Sequence, residues 1–244
     1  MSNGFTLKGQ HCSELGIAME TKTLPVLANP DDIYVQAPGR DGSYLFAREL
    51  TDSTITILCG LLASDTTGLM TIKRQIAAWV YSEQKIQLVF DDEPDKFYLV
   101  KYNGAILMDQ TKTSRLGTFT LVFRCDPMAY SQNDKTLVLD DYKVTNDGTA
   151  PSYPKFTVTF LNPATEFKLA LASDFVRVVK NFAVNDELEI DHTLSKVTIN
   201  GVRAMAQLDW QDSKFFLLPM GLSQLIVTPA GAATVTINFT ERWL

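Results

Sequence analysis

"PKFTVTFL", residues 154–161, decides the fold class. In an extended chain Phe156, Val158 and Phe160 point to one side and Thr157 and Thr159 to the other, because successive side chains of a strand alternate between faces. Aromatic and β-branched residues alternating with Thr mark a half-buried antiparallel strand. The same period of two runs through "TITILCG", where Ile55 and Ile57 alternate with Thr54 and Thr56. It returns in "ATVTINFT", where Val235, Ile237 and Phe239 alternate with Thr234, Thr236 and Asn238. Asn103-Gly104, Asp147-Gly148 and Asn200-Gly201 offer the positive φ angles that tight turns between strands require. The chain is expected to be mainly β.

One stretch departs from this period. "SDTTGLMTIKRQIAAWVYS", residues 64–82, spaces Leu69, Ile72, Ile76 and Trp79 for one face of a helix, with Val80 beside them. Ser64 or Asp65 can act as the N-cap, since its side-chain oxygen accepts from unpaired backbone N–H groups. Thr71, Lys73 and Arg74 lie off the apolar stripe, so one amphipathic helix on a sheet is expected. A boundary shows where "RCDPMAYSQND" closes one run of strands and "DDYKVTNDGTAPSYP", with its Asp-Gly and two prolines, precedes the next. Residues 1–135 are therefore read as a β domain with one α-helix. Residues 136–244 read as a β-sandwich of short strands without a helix, the last few residues free to pack back on the first domain.

Composition narrows the function. Of 244 residues, 45% are hydrophobic and 20% charged, which is enough apolar material for packed cores. The net charge of −6 opposes a nucleic-acid surface, which needs clustered cations to displace counterions. The longest apolar run, "TITILCGLLA", is half of what crosses a bilayer, so no membrane partner is expected. "MSNGFTLKGQ" shows no basic start before an apolar stretch, so synthesis and folding in a cytoplasm are expected. Cys12, Cys59 and Cys125 stand singly, without the spacing of a zinc site or the even number of a disulfide framework, and read as small buried side chains.

Catalytic signatures are missing. The chain has no G-x-S-x-G, no phosphate loop, no G-x-G-x-x-G and no H-E-x-x-H. His11 and His192 are the only histidines, and neighbours such as His11 and Cys12 on a strand point to opposite faces. The acidic runs "DDEPD" (91–95) and "VNDELEIDH" (184–192) lack the spacing of a calcium loop and read as solvated hairpin tips. No catalytic residue, metal ligand or cofactor is expected. Trp210 is the aromatic to test for stacking on a sugar, with core or interface packing as the alternative, and Trp243 invites the same question.

Several stretches taken in order carry a resemblance. "FTLKGQHCSELGIAMET", "APGRDGSYLF", "LMTIKRQIAAWV", "LVFDDEPDKFYLVKY" and "TFTLVFRCDPMAY" resemble the N-terminal domain of the distal tail proteins (Dit) of long-tailed, non-contractile bacteriophages. "VTNDGTAPSYPKFTV", "LEIDHTLSKVTINGV", "FFLLPMGLSQLIV" and "VTINFTERWL" resemble the same family's galectin-like β-sandwich. Met220 departs from the small residue the family pattern favours in that Pro-Gly-type turn. The resemblance implies a structural, non-enzymatic virion protein at the phage tail tip. It implies a homohexameric ring whose N-terminal domains line a channel, with the tail tube protein on one face and the tail-associated hub protein on the other. Receptor-binding proteins are further partners it implies, and an acidic chain suits a channel that must not hold DNA. The alternative is a carbohydrate-binding adhesin acting through the C-terminal sandwich.

The resemblance also gives meaning to Pro38-Gly39-Arg40-Asp41-Gly42 between two strand-like runs. It matches the family's extended arm, which reaches over a neighbouring subunit. Arg40 would then meet a carboxylate or carbonyl of that neighbour, and Tyr34, Tyr44 and Phe46 would be covered by it. The competing reading is a turn internal to the subunit, with Arg40 paired to Asp41.

Overall fold

The computed structural model describes residues 4–62, 66–110 and 116–244. The N-cap candidates Ser64 and Asp65 lie outside these residues. The chain divides into two compact units, Met1–Gln132 with Leu244, and Asn133–Trp243. Both are built of antiparallel strands, with a single α-helix among the described residues.

The strands of the first unit are β1 (Phe5–Leu7), β2 (Gln10–His11), β3 (Ile17–Thr23), β4 (Pro30–Val35), β5 (Tyr44–Leu50) and β6 (Ser53–Leu62). Helix α1 (Thr66–Val80) follows, then β7 (Ile86–Phe90), β8 (Lys96–Tyr102), β9 (Met108–Gln110) and β10 (Leu116–Ser131). Its main sheet runs β2-β1-β7-β8-β10-β6-β3, with β9 also on β10. The organising strand is β10, 16 residues long. It pairs with β6 from Leu116 to Cys125, and with β8 from Phe123 to Ser131 across a bulge between Cys125 and Ala129. Pro127 falls in that bulge, where its missing N–H costs no ladder bond. The alternation read from the sequence holds: Ile55, Ile57, Cys59, Phe119, Leu121 and Phe123 are buried together. Helix α1 covers them with Ile76, Trp79 and Val80. Trp79 stacks on Phe5 at 5.5 Å between ring centres, and its indole N–H donates to the Leu7 carbonyl at 3.0 Å. Lys8 donates to the Tyr81 carbonyl, a cation placed on the unpaired carbonyls just past the end of the helix.

In the second unit the strands are β11 (Lys135–Val138), β12 (Lys143–Asn146), β13 (Lys155–Phe160), β14 (Ala164–Leu171), β15 (Asp174–Phe182), β16 (Glu187–Asp191), β17 (Lys196–Ile199), β18 (Val202–Arg203), β19 (Gly221–Thr228) and β20 (Ala233–Phe239). They form two sheets, β11-β20-β13-β16-β17-β18 and β12-β19-β14-β15. Phe156, Val158, Phe160, Val235, Ile237 and Phe239 from the first sheet meet Phe167, Leu169, Val176, Val178 and Leu225 from the second in one core. Asn200 and Gly201 both have positive φ, as the two-residue turn between β17 and β18 requires. The connection over residues 204–220 lies along β15 and occupies its open side. Asp209 and Lys214 donate backbone N–H to the carbonyls of Arg177 and Phe175 (2.9 and 2.7 Å), and the Ser213 hydroxyl accepts from Arg177 N–H.

Asp147-Gly148 does not behave as the sequence reading expected. Gly148 is absent from the positive-φ glycines. Its space is the constraint: a Cβ there would sit 2.4 Å from the Arg242 carbonyl oxygen. Asn146 organises the turn instead, accepting from Gly148 N–H at 3.1 Å and donating to the Ala150 and Leu218 carbonyls at 3.1 and 3.3 Å. Met220 is taken up at an adjoining turn with its side chain exposed, and Gly221 supplies the positive φ.

Candidate functional site

Strands β4 and β5 form a sheet of their own. The register runs from Pro30↔Leu50 through Asp32↔Arg48 and Ile33↔Ala47, then shifts to Tyr34↔Leu45 and Val35↔Tyr44. The shift leaves Phe46 as the extra residue of a β-bulge, a device that re-aims a side chain. Phe46 is 76% exposed and Tyr34 57%, and Val35, Tyr44 and Leu45 are exposed as well. Large apolar side chains therefore meet solvent along both strands of this ribbon.

Local chemistry sets the ribbon's shape. Gly39 and Gly42 at the tip have φ of 81° and 83°, and nothing lies where their Cβ atoms would be, so glycine is needed for backbone angle alone. The Arg40 guanidinium lies 3.9 Å from the centre of the Tyr44 ring. Among the described residues no ion pair joins Arg40 to Asp41. Arg48 grips Asp32 with two bonds of 2.6 and 2.8 Å, which holds the Asp32 carboxyl below its ordinary pKa. At the base, Thr51 donates backbone N–H and hydroxyl to the Asn29 carbonyl.

A groove runs beside α1 in the same unit. One part, of about 180 Å³, is lined by Lys73, Ile76, Ala77 and Ile106. The adjoining part, of about 390 Å³, adds Val80, Tyr81, Lys101 and Tyr102. Ala77 and Ile106 belong to both. This surface escaped the sequence reading, because its residues come from a helix, a strand and a loop well separated along the chain.

The other candidates are held by structural partners. The His11 ring contacts the Ser13 hydroxyl at 2.7 Å and Asp91 at 3.2 Å, while the buried Cys12 sulfur accepts from Phe5 N–H. Burial pushes the Cys12 thiol up, and pushes Cys59 and Cys125 up to about 12. Residues 91–95 form the β7–β8 hairpin tip, where Asp92 pairs with Lys22 (2.5 Å) and Glu93 with Lys96 (2.8 Å). Asp186 accepts from Asn200 and from Ala183 N–H, and Asp191 from Leu194 N–H, so these carboxylates serve turns. Trp210 is 63% exposed, with its indole N–H donated to the Met205 carbonyl at 2.9 Å. Trp243 is half-buried. No described helix is long and apolar enough to cross a membrane.

Two family models match. One, a phage tail protein RIFT-related domain, spans residues 10–125, and the other, the siphovirus-type tail component C-terminal domain, spans 147–243. The chain belongs to the siphovirus distal tail protein family. The solved structure of phage SPP1 Dit (gp 19.1), described as a paradigm of the hub adsorption apparatus in phages infecting Gram-positive bacteria, matches over 100% of both chains. Its TM-score is 0.83 at 18% identity, which establishes a shared mainly-β fold. Chains of the phage P2 baseplate in its activated conformation match at a TM-score of 0.48, with calcium (10% identity, 99% and 98% of the two chains) and with strontium (9%, 98% and 98%). No curated protein sequence matches the chain. Its place is thus among the structural components of a phage tail, in the virion.

Proposed function

We propose that this distal tail protein forms a homohexameric ring joining the tail tube to the tail-associated hub and adsorption apparatus, without catalysis. The observation that carries the reading is the β4–β5 ribbon. A two-stranded ribbon on its own is at best marginally stable in water, and this one exposes Tyr34, Val35, Tyr44, Leu45 and Phe46. Exposed apolar surface of this kind is the mark of an interaction site. A ring supplies the cover, since each subunit gives its ribbon to one neighbour and receives another's. The full-length likeness to SPP1 Dit, a protein described as a paradigm of a hub adsorption apparatus, supports the same role. The net charge of −6 suits a passage for DNA that must not retain it. The tail tube protein, the hub protein and receptor-binding proteins are the partners this role requires. The adhesin alternative rests on the exposed ring of Trp210, whose N–H is already used internally.

Light scattering on the purified chain should give six times the 27.2 kDa subunit mass, or a multiple of that, at high concentration. A particle that stays at one subunit mass throughout the concentration range overturns the self-assembling ring.

A further inference from the structure

We propose that Asn103 is a site of spontaneous deamidation, through which the folded subunit acquires a carboxylate on the lip of the groove beside α1. Asn103-Gly104 follows β8 directly, and both residues are exposed. A side-chain amide followed by glycine is open to attack by the next backbone nitrogen, because glycine has no Cβ to stand in the way. Nothing lies within 4 Å of the position that a Cβ on Gly104 would take. Among the described residues no hydrogen bond holds the Asn103 side chain, and none occupies the Gly104 N–H. Asn200-Gly201 provides the contrast. Asn200 is exposed too, and Gly201 has the same open space around it. There the amide is gripped at both ends: Oδ1 accepts from Glu187 N–H at 2.8 Å, and Nδ2 donates to Asp186 at 2.9 Å. Attack requires the amide to swing toward the next backbone nitrogen. Those two bonds oppose the swing at Asn200, and no such bond opposes it at Asn103.

The chemistry needs water alone. The Gly104 nitrogen gives up its proton and bonds to Asn103 Cγ, the Cγ–Nδ2 bond breaks, and ammonia leaves with that proton. A five-membered imide remains. Water then opens it at either carbonyl. Breaking the bond from Cγ to nitrogen leaves an aspartate, and breaking the main-chain bond leaves an isoaspartate, with the chain routed through Cγ. Either product carries a carboxylate where a neutral amide stood. The fold tolerates the change, because the last rungs of β8 precede the altered bond: Tyr102 opposite Phe123, and Asn103 N–H on the Val122 carbonyl at 2.9 Å. The consequence falls on the groove. Lys101, Tyr102 and Gly104 line its larger part and Lys73 its smaller, with no carboxylate among the described lining residues. A negative charge two residues from Lys101 therefore alters the charge balance of that rim without unfolding the subunit.

The test follows the full chain in mildly alkaline buffer, with peptide mapping by mass spectrometry and enzymatic methylation of isoaspartate. The peptide holding Asn103 should convert about tenfold or more faster than the one holding Asn200, a ratio that two retained hydrogen bonds can supply. In urea, with both side chains released, the two should convert at similar rates. An acidic variant should accumulate on anion exchange with the melting temperature unchanged, and Asn103→Gln should remove its share. Asn3-Gly4, whose asparagine lies outside the described residues, is told apart by its own peptide. Equal rates at Asn103 and Asn200 in the folded chain overturn the proposal, as does an Asn103 that converts in urea and stays intact when folded. A ratio that persists in urea overturns the structural control and assigns the difference to local sequence. Conversion that lowers the melting temperature overturns a change confined to the groove's lip.

Discussion

At position 192 a histidine ring is packed among Phe156, Phe215 and Phe216, 3% exposed, with Nδ1 accepting from Phe216 N–H at 2.9 Å. Its Nε2 has no hydrogen-bond partner among the described residues, and burial pushes its pKa down to about 4. The unfolded chain protonates this ring near pH 6.5 while the folded chain resists, so the cost appears below pH 6.5 and grows until about pH 4. The second unit should lose about 3 kcal/mol of stability over that window through this residue alone, at about 1.4 kcal/mol per pKa unit. Denaturant titrations at pH 7, 5.5 and 4.5 on the wild type and on His192→Gln, which keeps an acceptor for Phe216, isolate the effect. Equal pH slopes for the two proteins would refute it. In the sequence His192 looked like the end of an acidic run, and nothing local announces that Phe215 and Phe216 arrive from the 204–220 connection. Gly148 carries the same lesson. Its reason is a carbonyl 94 residues further on, at Arg242, whereas the Asp-Gly pair on paper reads as an ordinary positive-φ turn.

Elements were more legible than residues. Period-two runs became β6, β13 and β20, and the helical spacing of Ile72, Ile76 and Trp79 became α1, because burial on one face is a property of the local pattern. The two strand-like runs around Pro38–Gly42 became β4 and β5. The bulge that singles out Phe46 was not readable, since register emerges only when two strands meet. Arg40 lies on Tyr44 within the ribbon, an exposed cation–π contact worth only about 0.5–1 kcal/mol. Arg40→Ala should therefore leave melting nearly unchanged. If the ribbon tip engages a neighbour, the lost charged contact weakens each interface by about 2–5 kcal/mol, visible as a smaller particle in sedimentation. Lower melting with particle size unchanged would assign Arg40 to the ribbon's own turn.

At the scale of the molecule, each unit has a core of its own. The core of Asn133–Trp243 is assembled wholly from that unit, from Leu139 to Phe239. A sandwich of this length buries enough surface to fold alone. Fragment 133–244 is expected to be a β-rich monomer with a single cooperative melt, as circular dichroism and sedimentation would read it. A disordered fragment would mean that its stability is borrowed from the first unit. The Asp-Gly and proline cluster ties Asn146, Gly148 and Ala150 to Leu218 and Arg242. The stretches "VTNDGTAPSYP", "FFLLPMG" and "ERWL" that carried the resemblance in the second half meet there.

Residues 208–214 shield the open side of β15, and this bears on the time between synthesis and assembly. A subunit made before its neighbours are ready must wait at rising concentration, and a bare strand would let waiting molecules extend one another into fibres. With the outward groups of Phe175 and Arg177 already bonded, that stretch of β15 offers a waiting molecule no free ladder. Association through this part of the sandwich is thereby disfavoured before any neighbour is met.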